Sequence, residues 1–78
     1  MKVYIIKEEE MYNNGSKCYS GICGVYNTLN KAKKILEEIK EQEMCDFDED
    51  LFDNIENGFY IDLGNDYNKY EIIEMEVE

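Results

Sequence analysis

The chain has no histidine, no arginine, no proline and no tryptophan. Without histidine there is no imidazole general base, no histidine-ligated metal and no switch titrating near neutrality. Without arginine the bidentate fork that grips phosphate and guanine is missing. Thiols are few: Cys18, Cys23 and Cys45 are an odd number, which argues against a closed disulfide framework. The five-residue step from Cys18 to Cys23 is not a common zinc-knuckle spacing, so the three are expected to be partly buried free thiols. Long apolar runs are also lacking. Val3-Tyr4-Ile5-Ile6 is cut off by Glu8-Glu9-Glu10, too short for a signal peptide core or a membrane span. The expectation is a cytoplasmic protein with no membrane association.

What is present is acid. Seventy-eight residues hold 19 Asp and Glu against 8 Lys, a net charge of −11. Ile, Leu, Val and Phe make up 19 residues, just above the proportion of about 20% below which such charge predicts disorder. One lean folded domain over 1–78 is expected. The charge is divided unevenly. Residues 1–36 carry three acids and six Lys, whereas residues 37–78 carry sixteen acids and two Lys. Such asymmetry speaks about partners rather than fold.

Lys2–Lys7 alternates β-branched and aromatic residues and reads as a strand that can run on toward Met11. Asn13-Asn14-Gly15-Ser16 is a turn cluster, with Gly15 free to take positive φ. A second strand follows over Lys17–Tyr26, where Gly21 and Gly24 suggest a bulge or a close approach. Thr28 is placed to cap a helix over 29–43, whose Leu29, Ala32, Ile35, Leu36 and Ile39 form one apolar stripe. On its wet face Lys33 and Glu37, and Lys34 and Glu38, stand at ion-pair spacing. Phe47, Leu51 and Ile55 recur every four residues, so a short second helix is expected over 49–57, ended by Gly58. Phe59–Leu63 and Tyr70–Glu78 read as further strands, the last with Ile73, Met75 and Val77 inward and Glu74, Glu76 and Glu78 outward. The expected fold is α+β, a four-stranded antiparallel sheet with one main helix and a short second one, in the order ββα(α)ββ.

Catalytic signatures are lacking. Hydroxyl nucleophiles are limited to Ser16, Ser20 and Thr28, and no nucleophile elbow, phosphate loop or thiol–imidazole pair occurs. No cofactor motif is present. Asp46, Asp48 and Asp50 match the first three ligand positions of a calcium loop, but Leu51 stands where glycine is needed and Asn57 where the bidentate glutamate belongs. Direct nucleic-acid binding is disfavoured by the charge, and Lys31, Lys33 and Lys34 read as a solvated helix face.

The acid run is the strongest feature. Ten acids fall between Glu37 and Glu56. Carboxylates spaced along a surface imitate a line of phosphates, and Phe47, Phe52, Tyr60, Tyr67 and Tyr70 among them could stack as bases do. The candidate binding residues are Glu37, Glu41, Asp46, Asp48, Glu49, Asp50 and Asp53. Seven tyrosines serve equally well at an interface or in a core without tryptophan. The alternative expectation is a non-catalytic regulatory or assembly module that binds through a sheet edge and tyrosines.

The string Gly24-Val25-Tyr26-Asn27-Thr28-Leu29-Asn30-Lys31-Ala32-Lys33 resembles the strand-to-helix junction of short acidic proteins of phages and Gram-positive bacteria. The opening Lys2-Val3-Tyr4 and the closing Tyr70-Glu71-Ile72-Ile73-Glu74 fit the same pattern. That resemblance implies an α+β fold and transfers no catalytic residue. In size and charge the chain is similar to phage anti-defence inhibitors, the anti-CRISPR and anti-restriction proteins. This physical likeness implies a small inhibitor whose partner is a protein complex that handles nucleic acid, such as a CRISPR effector or another nuclease.

Overall fold

The computed structural model describes residues 1–12, 14 and 16–77, with the backbone alone at 17 and 18. Its elements in chain order are β1 (Lys2–Tyr12), β2 (Lys17–Tyr26), α1 (Leu29–Glu43), a single 3-10 turn (Glu49–Leu51), β3 (Phe52–Ile55), β4 (Gly58–Asp62) and β5 (Asp66–Glu76). The strands form one antiparallel sheet in the order β2-β1-β5-β4-β3. β1 and β5 pair along their length, from Lys2 opposite Glu76 to Tyr12 opposite Asp66. The positive-φ expectation for Gly15, the last residue Glu78 and the placement of the Cys18 thiol against Cys23 lie outside the described residues.

α1 forms where the apolar period changes from two to 3.6. Thr28 caps it, its Oγ1 accepting from the Lys31 N–H at 3.2 Å. Ala32 and Leu36 are buried, and Leu29, Ile35 and Ile39 pack beside them. The helix lies on one face of the sheet, over β1, β2 and β5, where Ile6, Phe59, Ile61, Tyr70 and Ile72 complete the core. The other sheet face has no covering layer among the described residues. Across its middle runs a block of charge: Lys7 pairs with Glu9 at 3.4 Å and Lys69 with Glu71 at 3.5 Å. The register sets Lys7 opposite Glu71 and Glu9 opposite Lys69, so opposite charges also face each other across β1 and β5.

Three expectations are corrected. The sheet has five strands, not four, and no second α-helix forms over 49–57. One 3-10 turn is all that forms there before the chain extends as β3. The four-residue apolar period was coincidental: Phe52 stands opposite Ile61 on the core side, and Ile55 falls on the uncovered side. What outweighs the helical pattern is an aromatic row across three strands. The Phe52 and Phe59 rings lie 5.9 Å apart, and those of Phe59 and Tyr70 lie 5.1 Å apart. The β3–β4 turn uses Asn57 at φ 58°, not Gly58, as its left-handed residue. Gly58 is needed for a different reason, because a Cβ there would collide with the Tyr70 carbonyl and the Glu71 backbone.

The faces of β5 are the reverse of the expected ones. Tyr70 and Ile72 face the helix, whereas Ile73 and Met75 point to the uncovered side, with Met75 half exposed. Both alternate rows of this strand mix apolar with charged residues, so period two alone does not say which one is buried. Cys23 and Cys45 are exposed residues with free thiols, and the Cys23 thiol is partly desolvated beside Glu8. Neither Lys33–Glu37 nor Lys34–Glu38 closes into an ion pair among the described residues.

Candidate functional site

All seven candidate acids are exposed. Glu37 and Glu41 are one turn apart on the outer row of α1. Asp46 follows in the turn after the helix, and Asp48 precedes the 3-10 turn without using its side chain to cap it. Glu49, Asp50 and Asp53 are drawn together where the 3-10 turn enters β3. Glu49 and Asp50 edge a groove with Lys40, Met44, Phe52 and Asn54, while Asp50 and Asp53 edge a second one with Leu51, Asp62, Leu63 and Gly64. Glu37, Glu41, Asp46 and Asp48 line neither groove.

Asp62 belongs to this surface and was not among the expected residues. Its Oδ1 accepts from the Gly64 N–H at 2.9 Å, which holds the carboxylate at the end of β4. The sequence signal was the Asp-Leu-Gly turn, in which an aspartate commonly accepts from a backbone two residues on. Lys40 is the other residue that sequence reasoning passed over. Its Nζ donates to Asn54 Oδ1 at 2.7 Å and sits 5.9 Å from the centre of the Phe59 ring, tying the end of α1 to β3. It is the one basic residue in the last turn of α1.

The electrostatics of this end differ from those of the sheet. Among the described residues, none of the seven acids makes an ion pair; Asp53 instead accepts from the Tyr60 phenol, which raises the phenol's pKa. The negative end of the helix macrodipole points into the same region, so acids there are opposed by the backbone as well as by each other.

The aromatics do not serve as a row of base mimics. Phe47 and Phe52 pack against the core, and Tyr70 is buried. Tyr60 and Tyr67 remain on the uncovered sheet face, edge to face at 6.0 Å, where with Ile55 and Lys69 they line a shallow groove.

A second cluster lies under the end of α1. The Tyr70 phenol stands 3.2 Å from Glu8 Oε1 and 3.4 Å from Glu43 Oε1, and the Cys23 thiol 3.6 Å from Glu8 Oε2. Burial, followed by the two carboxylates, pushes the Tyr70 phenol far above its ordinary range. Partial desolvation and Glu8 also raise the Cys23 thiol. A thiol so placed stays protonated at neutral pH and is a poor nucleophile. Asp46, Asp48 and Asp50 do not converge as ligands, and no group of three acids or thiols among the described residues has metal-binding geometry. No helix among them is long and apolar enough to cross a membrane.

Comparison with protein-family models, with curated proteins and with solved structures gives no match to this chain.

Proposed function

We propose that the chain is a small, non-enzymatic acidic inhibitor, encoded by a phage or mobile element and acting in the cytoplasm of the host. It occupies the nucleic-acid groove of a defence complex, a CRISPR effector or similar nuclease. One observation carries this reading: the seven candidate acids from Glu37 to Asp53 are exposed and make no ion pair among the described residues, while Glu9, Glu71, Glu74 and Glu76 of the two central strands β1 and β5 are each paired with an ammonium group. Carboxylates already neutralised by lysines attract nothing, whereas unpaired ones steer a basic groove toward the chain and displace the phosphates it would otherwise hold.

The test is competition. A nucleic-acid-handling complex retained on the immobilised chain should be released by DNA or RNA and by high salt, because exposed charge contacts are screened within about 8 Å at physiological ionic strength. Reversing three of Asp46, Asp48, Glu49 and Asp50 to Lys should abolish retention and inhibition while circular dichroism stays unchanged. Inhibition that survives this reversal would falsify the mimicry mechanism.

A further inference from the structure

The two outer strands of the sheet differ. β3 is four residues long and carries Asp53, the short charged kind of edge that resists adding strands. β2 is ten residues long, and from Tyr19 to Tyr26 it bears no charge. Among the described residues no strand pairs with its outer side, so its outward N–H and C=O groups are a template for another strand. Ile22 and Val25 are 67% and 56% exposed there.

This segment reads nearly alike in both directions: Tyr19-Ser20-Gly21-Ile22-Cys23-Gly24-Val25-Tyr26. The likeness holds in space. Tyr19, Gly21, Gly24 and Tyr26 stand opposite Glu10, Glu8, Ile6 and Tyr4 of β1, all on the side of the helix. In a regular strand, glycines three apart would face opposite ways. Cys23, the extra residue at the bulge opposite Ile6 and Lys7, brings the two halves into phase. The rings repeat the symmetry, the Tyr19 phenol lying over Gly21 and the Tyr26 phenol over Gly24. A two-fold interface needs a surface that is its own complement, and this edge is one.

We propose that β2 is the site at which a second copy of the chain adds antiparallel, with Tyr19 opposite Tyr26, Ser20 opposite Val25 and Gly21 opposite Gly24. The product is one continuous sheet of about ten strands, twice the five of one copy. The net charge of −11 on each copy opposes self-association, and it does so least at this edge. The acidic end formed by Glu49, Asp50 and Asp53 lies at β3, four strand spacings away, or about 19 Å. Pairing through β2 puts the two acidic ends at opposite margins of the joined sheet, about 40 Å apart by the same spacing. That is several times the screening length of about 8 Å. A contact through β3 would instead bring the two acidic ends together. The inference is independent of the inhibitory reading and stands even if the acidic end binds nothing.

The test is the mass of the purified chain in solution, measured by sedimentation equilibrium over a range of concentrations with reductant present so that thiols do not link copies. The wild type should reach twice its 9.3 kDa. Ser20→Lys with Val25→Lys sets like charges opposite each other twice by symmetry and should weaken the dimer about tenfold or more. Ser20→Lys with Val25→Glu sets opposite charges there and should keep the dimer. Both side chains are exposed, and circular dichroism checks that the fold persists. In the wild type, amide exchange over 19–26 should slow as concentration rises. A wild type that stays monomeric, exchange indifferent to concentration, or a dimer untouched by the double-lysine variant overturns the proposal. Equal loss with both double variants overturns the pairing in this register.

Discussion

Four carboxylates of the central strands β1 and β5 and the acids at the α1–β3 end live under opposite conditions. Along β1 and β5, Glu9, Glu71, Glu74 and Glu76 each lie within ion-pair distance of an ammonium group, and Glu9 is all but buried. The seven candidate acids from Glu37 to Asp53 face water, and Glu41 and Asp46 flank the negative end of α1. The same residue types therefore stand in ion pairs in one region and unpaired in water in the other. A net charge of −11 does not by itself distinguish them; pairing does.

The severest way to break this arrangement is to remove what joins the two regions. Phe59 is 1% exposed, stacks on Phe52 and Tyr70, and lies under Lys40. Phe59→Ala should cost about 3–5 kcal/mol, enough to unfold much of so small a domain, as read in a urea melt. A native melt from this variant would show that the aromatic row does not hold β3 in place.

Tyr70→Phe tests the link between the sheet and the end of α1, because it strips the phenol that stands between Glu8 and Glu43. The expected loss is about 1 kcal/mol at neutral pH. The sign with pH follows from the raised phenol. In the folded state it holds its proton more tightly than in the unfolded chain. Its contribution is thus present below the ordinary tyrosine pKa of about 10 and is lost as pH climbs above it. The variant's melting temperature should fall less steeply than the wild type's above that pH, and parallel curves would disprove the coupling.

The sharpest comparison neutralises carboxylates in each region. Glu9→Gln should lower stability by about 1 kcal/mol. Asp46→Asn, Asp48→Asn and Asp50→Asn together should raise it by roughly a few tenths of a kcal/mol, because they relieve repulsion and an unfavourable helix end. At about 4–8 °C per kcal/mol for a domain of this size, thermal melts resolve both, with opposite signs. Two shifts of the same sign would mean that the regions do not differ as described.

Much of the fold was legible because local chemistry and tertiary structure agree. β2 and α1 begin and end where the turn cluster, Thr28 and the change of period place them. β3 was not legible, since Phe47, Leu51 and Ile55 satisfy a helical period and only the non-local stacking of Phe52 on Phe59 overrides it. For the site, the acids could be named from the run alone. Their lack of partners could not. Lys40 sits among them in sequence, between Glu37 and Glu41, yet its ammonium turns to Asn54, a choice set by where β3 lies.

The central pairing of β1 with β5 has a consequence for how the sheet folds. Lys2 stands opposite Glu76, and Val77 N–H donates to the Met1 carbonyl at 2.7 Å. β2 follows β1 directly, whereas β5 follows only after α1, β3 and β4. The middle of the sheet therefore closes a long loop of chain, while its β1–β2 and β3–β4 pairs close short ones. Such non-local pairing at the centre favours slow folding relative to a helical protein of equal length.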